Sequence, residues 1–255
     1  MDTIKIEKNG TRMIAHAGLM GMESSNTNAG FIAAGNRTYY GVETDVRVTG
    51  DKQIAVLHNP TTAGISPVEL VVAESTLKEL QSIPLYDRPF FYGMENYGVQ
   101  PLQNVLRSDL HIPSLAEYIH ICKKYGKICV LELKSEMSPD DVANILSQYK
   151  EQDYEDSVIY ISFNRETLKE LRKQAPDAVV QLLTNEKQVF SDEFLDGVAA
   201  DGFDLDIHIF TATKELVERI HARGMQVNVW TCDWPERAAE LVEWGVDMIT
   251  TNILE

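Results

Sequence analysis

Positive charge is scarce in this sequence. Its 255 residues carry 23 Lys+Arg against 39 Asp+Glu, a formal net charge of −16 with the six histidines neutral. That balance works against DNA and RNA, whose phosphates call for basic surface, and against anionic membrane surfaces. Cysteine is scarce too. Cys122, Cys129 and Cys232 are odd in number and form no CxxC, which reads as buried free thiols in a reducing compartment. No apolar run approaches the roughly 18 residues of a transmembrane helix. Met1-Asp2-Thr3-Ile4-Lys5 has no charged-then-apolar signal pattern. The expectation is a cytoplasmic protein. The GxGxxG phosphate fingerprint is absent, as are internal repeats and low-complexity tracts.

What is present suits a packed globular chain: 44% apolar and 24% charged residues. A chain this long buries roughly 70–75% of its unfolded surface and needs no disulfide. Short β-branched runs alternate with helical patterns. The runs are Arg12–His16, Gly41–Val48, Gln53–His58, Ile128–Lys134, Val158–Ser162, Ala178–Thr184, Phe203–Ile207, Gln226–Thr231 and Met248–Thr250. Between them, Asn28–Gly35, Ser114–Tyr125, Pro139–Gln152, Arg165–Gln174, Ser191–Ala200, Thr213–Arg223 and Pro235–Gly245 carry apolar residues at helical spacing. Pro139 and Thr213 mark helix starts, and Gly224 and Gly245 mark helix ends. Repeated strand–helix units predict a parallel sheet covered by helices. Eight such strands with short returns suggest an α/β fold closed as a (β/α)8 TIM barrel, with an open doubly wound sheet as the competitor. Residues 1–255 then form one domain. Thr61–His111 breaks the rhythm with Pro67, Pro84, Pro89 and Pro101 and with Tyr86, Phe90, Phe91, Tyr92 and Tyr97. It reads as an insertion after the second barrel strand, a small lid or subdomain at the barrel mouth.

In such a barrel the strand C-termini face the active side. The first strand ends in His16-Ala17-Gly18, and the second carries Glu43-Thr44-Asp45. The following run ends in His58-Asn59, the next main strand carries Glu132-Leu133-Lys134, and the seventh ends in Trp230-Thr231. An i,i+2 spacing puts both charged groups on one face of a strand. Three carboxylates without cysteine favour a hard divalent cation, Mg²⁺ or Ca²⁺. A histidine pair nearby suits acid/base work near neutral pH, and Lys134 could neutralise a phosphoryl oxygen. These residues make a plausible kit for hydrolysing a small phosphodiester. The competing reading is structural ion pairing inside the barrel. Charged groups in apolar strands need partners, and a cation would serve.

These residues resemble the glycerophosphodiester phosphodiesterase family. Its first strand ends in His-Arg-Gly, followed by a Glu-Asn-Thr loop; here stand His16-Ala17-Gly18 and Ser25-Asn26-Thr27. Its Glu-x-Asp-Val and His-Asp correspond to Glu43-Thr44-Asp45-Val46 and His58-Asn59. Its Ile-Pro-Ser-Leu-x-Glu and Glu-x-Lys correspond to Ile112–Glu117 and Glu132–Lys134. Ser162-Phe163, Trp230-Thr231 and Gly245–Asn252 match its later motifs, so the likeness covers about residues 12–253.

The resemblance implies a metal held by Glu43, Asp45 and Glu132, with His16 and His58 as acid and base. It implies that Lys134 contacts phosphate and that Phe163 and Trp230 line the substrate wall. A glycerol hydroxyl would attack phosphorus, and water would open the cyclic product to glycerol 3-phosphate. There are departures. Ala17 stands where the family has an arginine, whose grip on phosphate is worth about 1.5–3 kcal/mol. Ser25 replaces a glutamate, and Asn59 and Asn252 replace aspartates. Arg37, Arg47 and Arg88 are the arginines that could compensate. Ala17 therefore leaves open a different small phosphodiester, a lysophospholipid or a non-catalytic binding barrel. His208 reads as a loop histidine, while His111, His120 and His221 read as surface residues. Trp234 and Trp244 read as packing anchors. Tyr86, Phe90, Phe91 and Tyr92 read as insertion core, with capping of a choline-like headgroup as the alternative.

Overall fold

The computed structural model describes residues 2–98, 104–134 and 136–255. The elements run β1 (Arg12–Ala15), α1 (Asn28–Gly35), β2 (Gly41–Val48), β3 (Ile54–Val56), α2 (Leu77–Ser82), β4 (Leu85–Tyr86) and β5 (Leu106–Arg107). Then come α3 (Leu115–Tyr125), β6 (Ile128–Leu133), α4 (Pro139–Glu151), β7 (Val158–Ser162), α5 (Arg165–Gln174), β8 (Val179–Thr184) and α6 (Asp192–Ala200). The chain closes with β9 (Asp204–His208), α7 (Lys214–His221), β10 (Val227–Trp230), α8 (Pro235–Glu243) and β11 (Met248–Thr251). In circular order β1, β2, β6, β7, β8, β9, β10 and β11 pair in parallel. β1 bonds to both β2 and β11, which closes the ring and excludes the open sheet.

The period-two alternation of each strand divides its side chains between two cores. Ile14, Val130, Ile159, Ile161, Leu183 and Met248 fill the inside of the barrel. Their strand neighbours Met13, Leu131, Tyr160, Leu182 and Ile249 pack outward with the helices. The same alternation aims Glu132 and Lys134 inward beyond Val130. Register sets Asp45 beside Glu132 on the adjoining strand.

Helix starts follow local chemistry. The Ser114 and Ser138 side chains accept from the Glu117 and Asp141 N–H groups, and both carboxylates return a bond to the cap. Ser114, Ser191 and Thr213 cap their helices from one residue outside, so each helix begins one residue later than its periodicity suggests. Gly224 and Gly245 have φ of +75° and +80°, beyond the ends of α7 and α8. His208 is the last residue of β9, not a loop residue, because its backbone pairs with Trp230.

β1 pairs only with Gly41 and Val42 of β2; β3 then takes the same edge, antiparallel, at Val46–Val48. From there the chain leaves the barrel until α3. The excursion holds α2 and the β4–β5 pair, and Val72, Leu80, Ile83, Leu85 and Leu110 form a small core with Leu57 and Ile112. Phe91 and Met94 are buried in the main core instead. Residues 99–103 of the expected insertion lie outside the described residues. All three cysteines are free and buried, and no described helix is long and apolar enough to cross a membrane.

Candidate active site

The inward-facing charges converge at the C-terminal ends of β1, β2 and β6. One oxygen each of Glu43, Asp45 and Glu132 lies within 4.8 Å of the others, and all three residues are buried. Lys134 Nζ stands 2.9 Å from Glu132 Oε1 and 3.4 Å from Asp45 Oδ1. Glu43 Oε2 accepts from the Ala17 N–H at 2.7 Å and lies 4.0 Å from His16 Nε2. Asp45 Oδ2 accepts from Asn26 Nδ2 at 2.8 Å, while Thr44 Oγ1 donates to Asn26 Oδ1 at 2.6 Å.

Burial and neighbouring charge set the electrostatics of this cluster between them. It pushes Glu43 well above the usual carboxylate range, and Asp45 and Glu132 add repulsion. Burial and then Asp45 push Glu132 up to about 8. Burial also opposes ionisation of Asp45, but Lys134, His58 and Asn26 outweigh it and hold that carboxyl below its ordinary value. Lys134 is raised: burial works against its charge, and Asp45 and Glu132 prevail. Three carboxylates facing one ammonium leave two negative charges uncompensated when all are ionised. A divalent cation with oxygen preference supplies that charge, so the donor set fits one.

A cavity of about 140 Å³ opens over this cluster. It is lined by His16, Glu43, His58, Glu132, Lys134, Phe163 and Trp230. Asp45, the eighth residue singled out from the sequence, joins them through Lys134 and lines an adjoining cavity. The Phe163 and Trp230 rings meet edge to face at 5.7 Å, and the His208 ring lies 4.8 Å from that of Trp230. Both histidines are oriented by amides. Asn252 Nδ2 donates to Asp233 Oδ2 at 2.7 Å, which turns its Oδ1 toward His16 Nδ1 at 2.7 Å. That carbonyl accepts from Nδ1–H, so in the neutral ring the lone pair is on Nε2. Asn59 Oδ1 makes the corresponding contact with His58 Nδ1 at 2.8 Å.

Of the candidate arginines, Arg37 is paired with Asp2 and Glu255, away from the site. Arg47 Nε donates to the His58 carbonyl at 2.8 Å. Arg88 lines the adjoining cavity.

Three residues had no role in the sequence reading, although Asn26 stood in the Ser25-Asn26-Thr27 loop quoted there. Asn26 positions Asp45 from a backbone with φ of +55°. Asp233 accepts from Thr251 Oγ1, Asn252 and the Tyr92 N–H, tying the 61–111 excursion to the end of β11. Asp206 lines the mouth cavity, and its Oδ1 has no hydrogen-bond partner. Its signal was the i,i+2 pair Asp204-Leu205-Asp206, the same spacing that exposed Glu43 and Asp45.

Known proteins resemble this chain over nearly its whole length. The model of the glycerophosphoryl diester phosphodiesterase family matches residues 16–255. A glycerophosphodiester phosphodiesterase of Caldanaerobacter subterraneus subsp. tengcongensis is 27% identical over 244 residues, covering 95% of this chain and 94% of its own. A solved glycerophosphodiester phosphodiesterase from Parabacteroides distasonis is 26% identical with a TM-score of 0.74, covering 96% of this chain and 94% of its own. An Oleispira antarctica phosphodiesterase, solved with the product sn-glycerol-3-phosphate, shares the fold at 22% identity with a TM-score of 0.79, over 94% of this chain and 92% of its own. With a match that runs from the first site histidine to the last residue, this chain belongs to the glycerophosphoryl diester phosphodiesterase family.

Proposed function

We propose that the chain hydrolyses a glycerophosphodiester to glycerol 3-phosphate and an alcohol. The observation that carries this reading is the meeting of two amide-oriented histidines, three buried carboxylates and one lysine at one end of the barrel. Glycerol 3-phosphate bound to the Oleispira phosphodiesterase supports the product assignment. The buried free thiols support a cytoplasmic setting.

Glu43, Asp45 and Glu132 would hold the divalent cation, Mg²⁺ or Ca²⁺. When bound, it supplies positive charge to a phosphoryl oxygen. Lys134 holds Asp45 ionised and faces the same cavity, where it neutralises a second phosphoryl oxygen. Phe163 and Trp230 wall the side of the cavity and exclude water. One histidine accepts the proton of the attacking glycerol hydroxyl at Nε2 as the new P–O bond forms. The other, protonated, gives its proton to the leaving alcohol oxygen as the old P–O bond breaks. Water then opens the cyclic phosphate with the two roles exchanged.

The test is release of glycerol 3-phosphate from several glycerophosphodiesters by wild type, His16→Ala and His58→Ala. Each substitution should lower kcat by about 10²–10⁴-fold, the usual contribution of a positioned acid or base. Turnover unaffected by both substitutions would overturn the acid/base assignment.

A further inference from the structure

Two cavities meet at the paired histidines. Besides the mouth cavity, one of about 280 Å³ lies between the ends of β1 and β2 and the 61–111 excursion, and His16 and His58 line it too. We propose that this second cavity receives the alcohol side of the diester and selects an apolar alcohol, one bearing an alkyl or acyl chain. The proposal rests on the phosphodiesterase reading of the site.

Its apolar wall is Met20, Val56, Leu57, Ile65, Leu85 and Ile112, and Ser25, Asn59 and Arg88 also line it. The buried polar side chains along it are already committed. Ser24 Oγ donates to the Tyr86 carbonyl, Thr27 Oγ1 donates to the Ser24 carbonyl, and Asn26 bridges Thr44 and Asp45. A sugar or polyol headgroup would lose its water there and find those partners taken. The aromatics do not form a cage for a cationic headgroup either. Phe91 is buried in the main core, Tyr92 stacks on Trp234, and the Tyr86 ring carries the Arg88 guanidinium at 4.9 Å. Ala17 completes the argument. It lines this cavity, where the longer side chain of an arginine would take up space. The substitution that removes a phosphate contact thus keeps an apolar volume open beside the reacting atoms.

The test measures kcat/KM for glycerophosphodiesters of ethanol, butanol and hexanol, with glycerophosphocholine and glycerophosphoserine as polar comparators. The expectation is a rise of roughly threefold to fourfold per methylene over the first few carbons. Ile65→Gln and Met20→Gln should each flatten that slope, read relative to the ethyl ester of the same variant. In parallel, calorimetry on the Mg²⁺-supplemented wild type follows binding of ethyl, butyl and hexyl phosphate, which needs no turnover. Chain-length dependence of binding without turnover would keep the subsite and overturn the hydrolase reading. Turnover with a flat slope, or with preference for the choline or serine ester, would overturn the subsite and keep the hydrolase. A flat slope in both measurements removes the subsite. Lysophosphatidylglycerol in neutral phospholipid vesicles, whose free glycerol attacks phosphorus and whose acylated glycerol leaves as the alcohol, separates the sources of the chain: release of monoacylglycerol there assigns it to a lipid, and turnover of the soluble esters alone to a small alkyl alcohol.

Discussion

Asp206 is a buried carboxyl with an unpartnered oxygen inside the barrel. It is 1% exposed, burial pushes its carboxyl well above the ordinary 3.8, and Oδ1 has no partner. Asp206→Asn keeps the shape and removes the buried charge, so melting at pH 7 should rise by about 2–4 °C. The sign follows from linkage. A raised folded-state value means stability falls as pH climbs past 3.8, so the gain of the variant should vanish below that pH. A lower Tm for Asp206→Asn at pH 7 would contradict this account. Glu43 and Asp45 were legible because two charges on one strand face demanded a partner, and Glu132 with Lys134 offered one. Asp204 and Asp206 have the same spacing, and His208 follows two residues on, but with the strand read as ending at Ile207 that histidine fell in a loop and the pair drew no partner. Asn26 and Asp233 act by hydrogen bonds across loops, and only the closed fold brings those loops together.

Among the elements, α3 shows how a local capping motif ties the excursion to α1. Its capping residue Ser114 bonds Glu117, whose carboxylate also meets His111 and Asn28 at 2.8 and 3.0 Å. Burial opposes the charge of Glu117, but these bonds outweigh it and hold the carboxyl down at about 2. Its stabilising effect is therefore fully present above the ordinary 4.5 and lost as pH falls toward 2. Glu117→Gln should cost about 1 kcal/mol in urea unfolding at pH 7, with the gap to wild type closing near pH 2. A gap that stays constant with pH would refute the ionic contribution. Some elements were readable to the residue: β2, β7, α1 and α5 have the bounds read for them in the sequence. α2, β4 and β5 were not. A six-residue helix and two-residue strands hold too little period to register.

For the whole molecule, strand count and short returns suggested a barrel, but closure is a pairing of chain ends, and β1 with β11 supplies it. Closure is what brings Asn252, at the end of the chain, against His16 near its start. The pairing of β2 with β6 places three carboxylates beside a single lysine, and this arrangement is the centre of the functional account. The most direct test is titration of the metal-stripped protein with Mg²⁺ or Ca²⁺ while following glycerol 3-phosphate release, alongside Glu132→Gln. The account predicts no turnover without metal, recovery that saturates near one equivalent per chain, and weakened metal binding in the variant. Full turnover in the presence of chelator, or metal affinity unchanged by Glu132→Gln, would contradict it.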